Sequence, residues 1–342
     1  MAVIGVGAFG RNHARVYHDL AREEASAVEF VGVVDSNSAR AVQVAAEFGT
    51  QAFASLPELL QRGKPQAASV AVPTQSHLQV MRELVENGVD VLVEKPIAPT
   101  LADADEMLHL AQQHGRIAQA GQLERFNPAV RATLPLLTKP MFFEVHRLSV
   151  FTPRSLDVDV VLDLMIHDID VVLSFVQSGV KEIRAVGLPI LSSKVDIANV
   201  RMEFDSGCVA NFTASRVSTE RVRKLRFFQP QQYISLDYTR QDVVTFTVSS
   251  NGAGASGLAG LLASMGEEEP EHPSSPQIKI ARPEVVRVEP LRAELCSFLN
   301  SVRTRSSPAI PLDDGRRALA VALEILEVIR QHSRNVNLDR LL

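Results

Sequence analysis

Three side chains suited to acid–base chemistry, Asp163, His167 and Asp170, stand in the stretch DLMIHDIDVVL at 163–173. On a helix, positions i, i+4 and i+7 share one stripe. Asp159 and Ser174 lengthen that stripe, and Asp168 is the main polar residue away from it. Nearly everything else in the segment is Val, Leu, Ile, Met or Phe. An ordinary surface helix has a broad polar face. The reversed proportions here predict a mostly buried helix over 158–176 that shows one polar edge to something specific. An imidazole with a reference pKa of ~6.5 can take up a proton near neutrality. A carboxylate one turn earlier can orient the ring and stabilise its cation. That pairing suits removal of the proton from a secondary alcohol. The plain alternative is a surface Asp–His pair contributing ~0.2–0.5 kcal/mol.

The rest of the chain narrows the choice. Its 342 residues allow about two domains of ~150 residues each. Apolar residues make up 46% and charged residues 22%, ordinary proportions for a globular protein. A net charge of −5 supplies no basic field for nucleic acid or membrane, and the absence of Trp argues against base-stacking surfaces. No apolar run approaches the ~18–20 residues of a membrane helix, and the start lacks the layout of a signal peptide. A cytoplasmic location is therefore expected. Two cysteines, Cys208 and Cys296, without a CxxC pair, predict neither a disulfide framework nor a metal cluster. Each is expected to be a small buried residue.

From residue 1 to about 121, short apolar runs alternate with helical stretches. The runs are AVIGV (2–6), EFVGVVD (29–35), AASVAV (67–72), DVLVE (90–94) and RIAQA (116–120); the helices are expected at 9–22, 38–47, 75–86 and 101–113. Such a pattern indicates a doubly wound parallel sheet covered on both faces. The first run enters Gly5-Val6-Gly7-Ala8-Phe9-Gly10, and the second ends in Asp35, 25 residues after Gly10. In a dinucleotide-binding turn Gly5 permits the tight bend, Gly7 admits the pyrophosphate, and Gly10 lets helix pack on strand. The N–H groups around Ala8 and Phe9 at the helix start would then face phosphate. Asp35 suits a ribose diol, with Arg40 the nearest cation to a 2′-phosphate, so NAD is favoured over NADP. Ligands of open parallel sheets sit beyond the carboxyl ends of strands. Pro73, Thr74, His77, Glu94 and Lys95 occupy such ends and are expected to line the cofactor site.

The segments GVGAFG, VPTQSH, VEKP, GQLERFNPAV and DLMIHDID together resemble the Gfo/Idh/MocA oxidoreductase family, along essentially the whole chain. The resemblance implies an N-terminal Rossmann domain over 1–121. It is followed by a substrate-binding and oligomerisation α+β domain over 122–342, with an open, mostly antiparallel sheet. It implies an NAD(P)-dependent dehydrogenase acting on a sugar or cyclitol, with catalytic Lys95, Asp163 and His167. Gln122 is assigned to the cofactor, and Arg125 and Asn127 to the substrate. Met165 stands where the family often has Gly, which would narrow the pocket. Lys95 can stabilise developing alkoxide charge, or serve as the base if burial lowers its pKa; the residue types leave this open against His167. Asp170 either contacts a neighbouring hydroxyl or satisfies a local group.

Alternating runs over 142–249 suggest a sheet with one covered face, whose open face would form a homodimer or homotetramer. Closing helices are expected at 289–304 and 312–332, and a mobile loop at 251–276. Arg216, Arg221, Arg223, Lys224 and Arg226 crowd into ASRVSTERVRKLRFF (214–228), and Arg147 and Arg154 extend the group. A free sugar offers guanidinium groups nothing, whereas a nucleotide sugar offers a diphosphate. Arg154, Arg216 and Lys224 are therefore candidates for substrate binding, and Asp170 is a candidate through a sugar hydroxyl. The combination of GQLERFNPAV, FTPRSLDVDVVLDLMIHDIDV and SRVSTERVRKLRFFQPQQYISLDY resembles family members that oxidise the 3-hydroxyl of a UDP-N-acetyl amino sugar. The alternatives are an inositol or free-sugar dehydrogenase, an enzyme that keeps NAD bound for elimination chemistry, and a non-catalytic NAD-responsive binding protein.

Overall fold

The computed structural model describes residues 1–152, 158–249 and 277–336. Contacts divide the chain into two compact units: Met1–Phe126 with Glu289–Val321, and Asn127–Val288 with Ala322–Leu342. The division expected from sequence differs in placing 289–321 with the second part. The expected loop at 251–276 lies outside the described residues. Among the described residues no helix is long and apolar enough to cross a membrane.

The first unit holds a parallel sheet in the order β3-β2-β1-β4-β5-β6. Its strands are β1 (Ala2–Ile4), β2 (Gly32–Val34), β3 (Ala52–Phe53), β4 (Ala67–Val70), β5 (Asp90–Glu94) and β6 (Ala118–Gly121). Helices α1 (Ala8–Ala21), α2 (Ser38–Glu47), α3 (Leu56–Glu58), α4 (His77–Glu86) and α5 (Leu101–Gln113) connect them. Two-residue β3 was not expected, since so short a run carries no readable period. Asn37 accepts the Arg40 N–H and Thr100 accepts the Asp103 N–H, so both α2 and α5 begin on side-chain caps. Strand order reverses between β1 and β4, which opens the crevice where such folds bind ligands. Leu291, Leu295, Phe298 and Leu299 join Val3, Val16, Tyr17 and Leu20 in the core. This packing explains why the later helix returns to the first unit: its apolar stripe shares a core with α1 and β1.

The second unit begins with α6 (Pro128–Thr133) and β7 (Phe142–Val150), then a π-helical turn at Val161–Met165 leading into α7 (Ile166–Val176). Strands β8 (Val180–Leu188), β9 (Ile197–Phe204), β10 (Val209–Ser218), β11 (Val222–Gln229), β12 (Gln232–Asp237), β13 (Asp242–Ser249) and β14 (Gln277–Ala281) follow. Their order with β7 is β14-β13-β12-β11-β7-β10-β9-β8. Every neighbouring pair is antiparallel except β7 with β10. Helices α8 (Pro290–Thr304) and α9 (Leu312–Asn335) end the described chain.

Because strand side chains alternate faces, β7 sorts its residues cleanly. Phe143, Val145 and Arg147 are buried on the face that meets α7. Phe142, Glu144, His146 and Leu148 point the other way. On the covered face Phe175 of α7 packs against Phe143 and Phe227, with ring centroids 6.4 and 5.9 Å apart. There, too, Arg147 grips Asp168 through two hydrogen bonds of 2.6 and 2.9 Å, with both side chains almost fully buried. The Tyr238 ring lies 5.1 Å from the Arg147 guanidinium. Asp168, the polar residue off the expected stripe, thus anchors α7 to the sheet.

Removing one member of a buried pair strands the other charge, which typically costs about 3–5 kcal/mol. Arg147→Ala should therefore lower the stability of the second unit by that amount in urea unfolding. A loss under about 0.5 kcal/mol, the usual size for surface changes, would contradict this account of how α7 is held.

Candidate functional site

The glycine turn is built by contacts that only glycine permits. Gly5 has φ +85°, and a Cβ there would stand 2.7 Å from the backbone of Ala71 and Val72. A Cβ on Gly10 would come within 1.8 Å of the Gly5 carbonyl oxygen. Gly7 differs, because a Cβ there would meet only the tip of Arg40, 4.0 Å away. Gly7 is thus required by no contact of the fold, as expected of a residue kept small for a ligand. It is the N-cap of α1 and has no side-chain cap, so the first-turn N–H groups of Ala8, Phe9 and Gly10 face outward.

Asp35 stands at the end of β2. Its Oδ2 accepts the Val6 N–H and its Oδ1 the Asn37 N–H, each at 2.8 Å. The Asp35 side chain thereby ties the turn after β1 to that after β2. Arg40 approaches Asp35 Oδ2 at 3.6 Å. Gly7, Ala8, Arg11, Arg40 and Gln43 line an open depression of about 330 Å³. Two guanidinium groups, a glycine cradle and a free helix start suit a nucleoside diphosphate. On these features the residues present fit a nicotinamide dinucleotide.

At the ends of β4 and β5, Pro73 is exposed and Thr74 and Lys95 are half-buried. His77, expected at the cofactor, is fully buried instead. Its Nε2 meets the Val72 carbonyl at 2.9 Å and its Nδ1 the Ile97 carbonyl at 3.1 Å. Burial lowers its pKa against the opposing pull of those carbonyls and of Glu94. The Glu94 carboxylate is buried over Gly121, and its Oε1 lies 3.0 Å from His13 Nε2. His13 is a residue that sequence reasoning missed, although its place four residues after Phe9 on α1 was a usable signal; the two rings meet edge-on at 5.2 Å. Gln122 is buried with no hydrogen-bond partner for its Oε1. Arg125 lies 3.5 Å from Asp314.

In the second unit the polar stripe survives in shortened form. The π turn, closed by the Ile166 N–H on the Val161 carbonyl, replaces the regular helix expected from 158. Asp163 lies in this turn and His167 on the first turn of α7, both half-buried, with Asp170 buried one turn on. Asp159 is not part of the edge: its Oδ1 accepts the Val195 N–H at 2.9 Å. Ser174 bonds its own helix, at the Val171 carbonyl. Asn127 caps α6 through the Ala129 N–H and donates to the Tyr238 carbonyl, each at 3.0 Å.

The basic cluster is divided by strand alternation. Arg223 pairs in register with Arg147 and shares its face, whereas Lys224 pairs with His146 on the opposite face. The structure therefore does not bring Lys224 to the face that carries α7, and the half-buried Arg223, passed over as a candidate, is there instead. Arg216 is buried; it donates to the Val158 carbonyl and approaches Asp196 at 3.5 Å. Burial opposes ionisation of Asp196, but the N–H groups of Leu191, Ser192 and Ile190 outweigh it and lower its pKa. Arg216 thus holds the start of the π-turn segment. Arg154 lies outside the described residues. Cys208 is buried, and burial raises its thiol pKa to about 11; Cys296, expected to be buried, is exposed.

The first unit has the architecture and phosphate turn of a dinucleotide-binding oxidoreductase. Residues 1–122 match the oxidoreductase family with the NAD-binding Rossmann fold, and residues 142–235 match the GFO/IDH/MocA C-terminal domain. The chain is 33% identical to UDP-N-acetylglucosamine 3-dehydrogenase of Acidithiobacillus ferrooxidans, over 94% of this chain and 95% of that protein. Its fold superposes on a structure of that dehydrogenase with a TM-score of 0.84, at 32% identity, covering 96% of this chain and 97% of the other. The scyllo-inositol 2-dehydrogenase (NAD(+)) of Bacillus subtilis is 28% identical over 64% of this chain and 67% of its own length. The chain belongs to the Gfo/Idh/MocA family of oxidoreductases, whose N-terminal domain binds a nicotinamide cofactor.

Gly10→Ala and Gly7→Ala separate the two uses of glycine in the turn. Both should abolish NADH binding measured by calorimetry. Only Gly10→Ala should also lower the melting temperature, because only its methyl group meets backbone. Normal NADH affinity in Gly7→Ala would remove the turn from the cofactor site.

Proposed function

We propose that the chain is an NAD-dependent dehydrogenase that oxidises the 3-hydroxyl of a UDP-N-acetyl amino sugar. The observation that carries this reading is the 33% identity along nearly the full length of both chains to UDP-N-acetylglucosamine 3-dehydrogenase. The inositol dehydrogenase relative is matched over a markedly shorter span. The chemistry of His167, Asp163 and Lys95 agrees with it. His167 takes the hydroxyl proton, since imidazole is the side chain suited to general-base work near neutral pH. Asp163 orients the imidazole and stabilises its cation. Lys95 hydrogen-bonds the reacting oxygen as alkoxide charge develops. Bound nicotinamide supplies the hydride acceptor. Arg223, on the face that carries α7, is a better candidate for the diphosphate than Lys224.

NAD rather than NADP follows from Asp35, whose carboxylate at the end of β2 would repel a 2′-phosphate. Arg40, 3.6 Å away, partly offsets that charge. Weak residual NADP binding is expected, and it should vanish in Arg40→Ala while NAD binding remains.

A second copy of the chain suits the open face of the larger sheet. Phe142, Phe228, Tyr233, Phe246 and Ile280 lie in register across five strands, and neighbouring rings are 5.0–5.7 Å apart. Phe228 and Ile280 are exposed. An apolar row of this kind is a natural homo-oligomer surface. Phe228→Asp should convert the oligomer to monomer in light scattering, and an unchanged mass would place the interface elsewhere.

The substrate test compares NADH formation from UDP-N-acetylglucosamine, N-acetylglucosamine and myo-inositol, with a carbonyl trap present. Turnover confined to the nucleotide sugar is expected. Loss of one general acid–base group typically costs ~10²–10⁴-fold, so Lys95→Met and His167→Ala should each lower kcat within that range. Preferred turnover of myo-inositol would replace the substrate assignment.

A further inference from the structure

Two buried histidines engage the residues that flank Lys95 where the chain leaves β5. On one side, the His77 ring spans the carbonyl of Val72, which leads out of β4, and the carbonyl of Ile97, two residues beyond Lys95. On the other, His13 of α1 stands 3.0 Å from the carboxylate of Glu94, the residue before Lys95. The relative exposures, 1% for His77 and 0% for His13, are too small for contact with a cofactor or substrate. Glu94 fills the space left by the missing side chain of Gly121, its Oε1 lying 2.8 Å from where a Cβ there would stand.

We propose that His77 and His13 are positioning residues that hold the Glu94–Ile97 turn from opposite sides and thereby fix how Lys95 is presented. The inference rests on the reading of Lys95 as an active-site group. A neutral imidazole carries one N–H, so His77 donates to one carbonyl at a time and still keeps the two turns within one ring's width. The turn after β4 carries Pro73 and Thr74, and α1 carries the phosphate turn at its start. Each histidine therefore links a cofactor-facing segment to the Lys95 turn without meeting the ligand. Misplacement of a reacting group by about 1 Å can cost ~10²-fold in rate, so a brace on this turn carries weight in catalysis.

The test uses the full-length chain as His77→Phe, His77→Gln and His13→Asn. Lys95 reactivity is read by trace acetylation and mass spectrometry across pH, with the exposed Lys64 as internal reference. In His77→Phe the Lys95 labelling curve should shift and kcat should fall by roughly 100-fold, while the Kd for NADH stays at the wild-type value. His77→Gln, which keeps a donor, should recover part of both. His13→Asn should shift Lys95 labelling independently, and it keeps the test open where His77→Phe does not fold. Wild-type Lys95 labelling in both a folded His77 variant and His13→Asn would overturn the proposal. So would loss of NADH binding in step with kcat, which would return His77 to the cofactor. Full activity in Lys95→Met would instead remove the catalytic reading of Lys95, while the labelling experiment would still report on the brace.

Discussion

A guanidinium and a carboxylate sealed from water decide where α7 can sit in the second unit. Arg147 comes from the middle of β7, the strand that pairs with β10 on one side and β11 on the other. Asp168 comes from the first turn of α7. Their pairing seats the helix on one face of the sheet, and the neighbouring residue, His167, is presented at a half-buried edge as a result. Charge in a low-dielectric interior tolerates few arrangements. The pair therefore gives α7 a defined seat that apolar packing by Phe175 alone would leave looser.

Strand alternation does the rest of the sorting. One face of the sheet receives Arg147, Arg223 and the phenylalanines under α7. The other receives Lys224, the Glu144–Arg226 pair at 3.7 Å and the aromatic row. Charges that crowd together in sequence are thus divided between the two faces of the sheet. In the first unit the ruling constraint is backbone approach: Gly10 on Gly5, and Gly5 on the turn after β4. There the side chains follow the backbone, with Asp35 and His77 each joining two neighbouring turns.

Much of this was legible from residue order because the controlling forces are local. The glycine turn, the strand before it and Asp35 after it obey steric rules that depend on a few residues. The observed helices at 38–47 and 101–113 coincide with those expected. Less legible were features set by tertiary partners. Asp159 looked like part of the polar stripe, yet a π turn and the Val195 N–H remove it. His77 occupies a strand-end segment where ligands bind, but packing turned it inward onto two carbonyls. Lys224 and Arg223 are adjacent, and only strand register tells which one shares the face of Arg147. An amphipathic pattern shows that 290–304 buries a face, but not that the face shares a core with α1.

In the proposed reaction hydride leaves carbon 3 of the nucleotide sugar. The most direct measurement is to supply UDP-N-acetylglucosamine deuterated at C3, and separately at C4, and to follow the label by mass spectrometry of the reduced cofactor. Deuterium is expected on the nicotinamide ring from the C3-labelled substrate alone. Transfer from C4, or reduced cofactor that carries no label from either substrate, would contradict it.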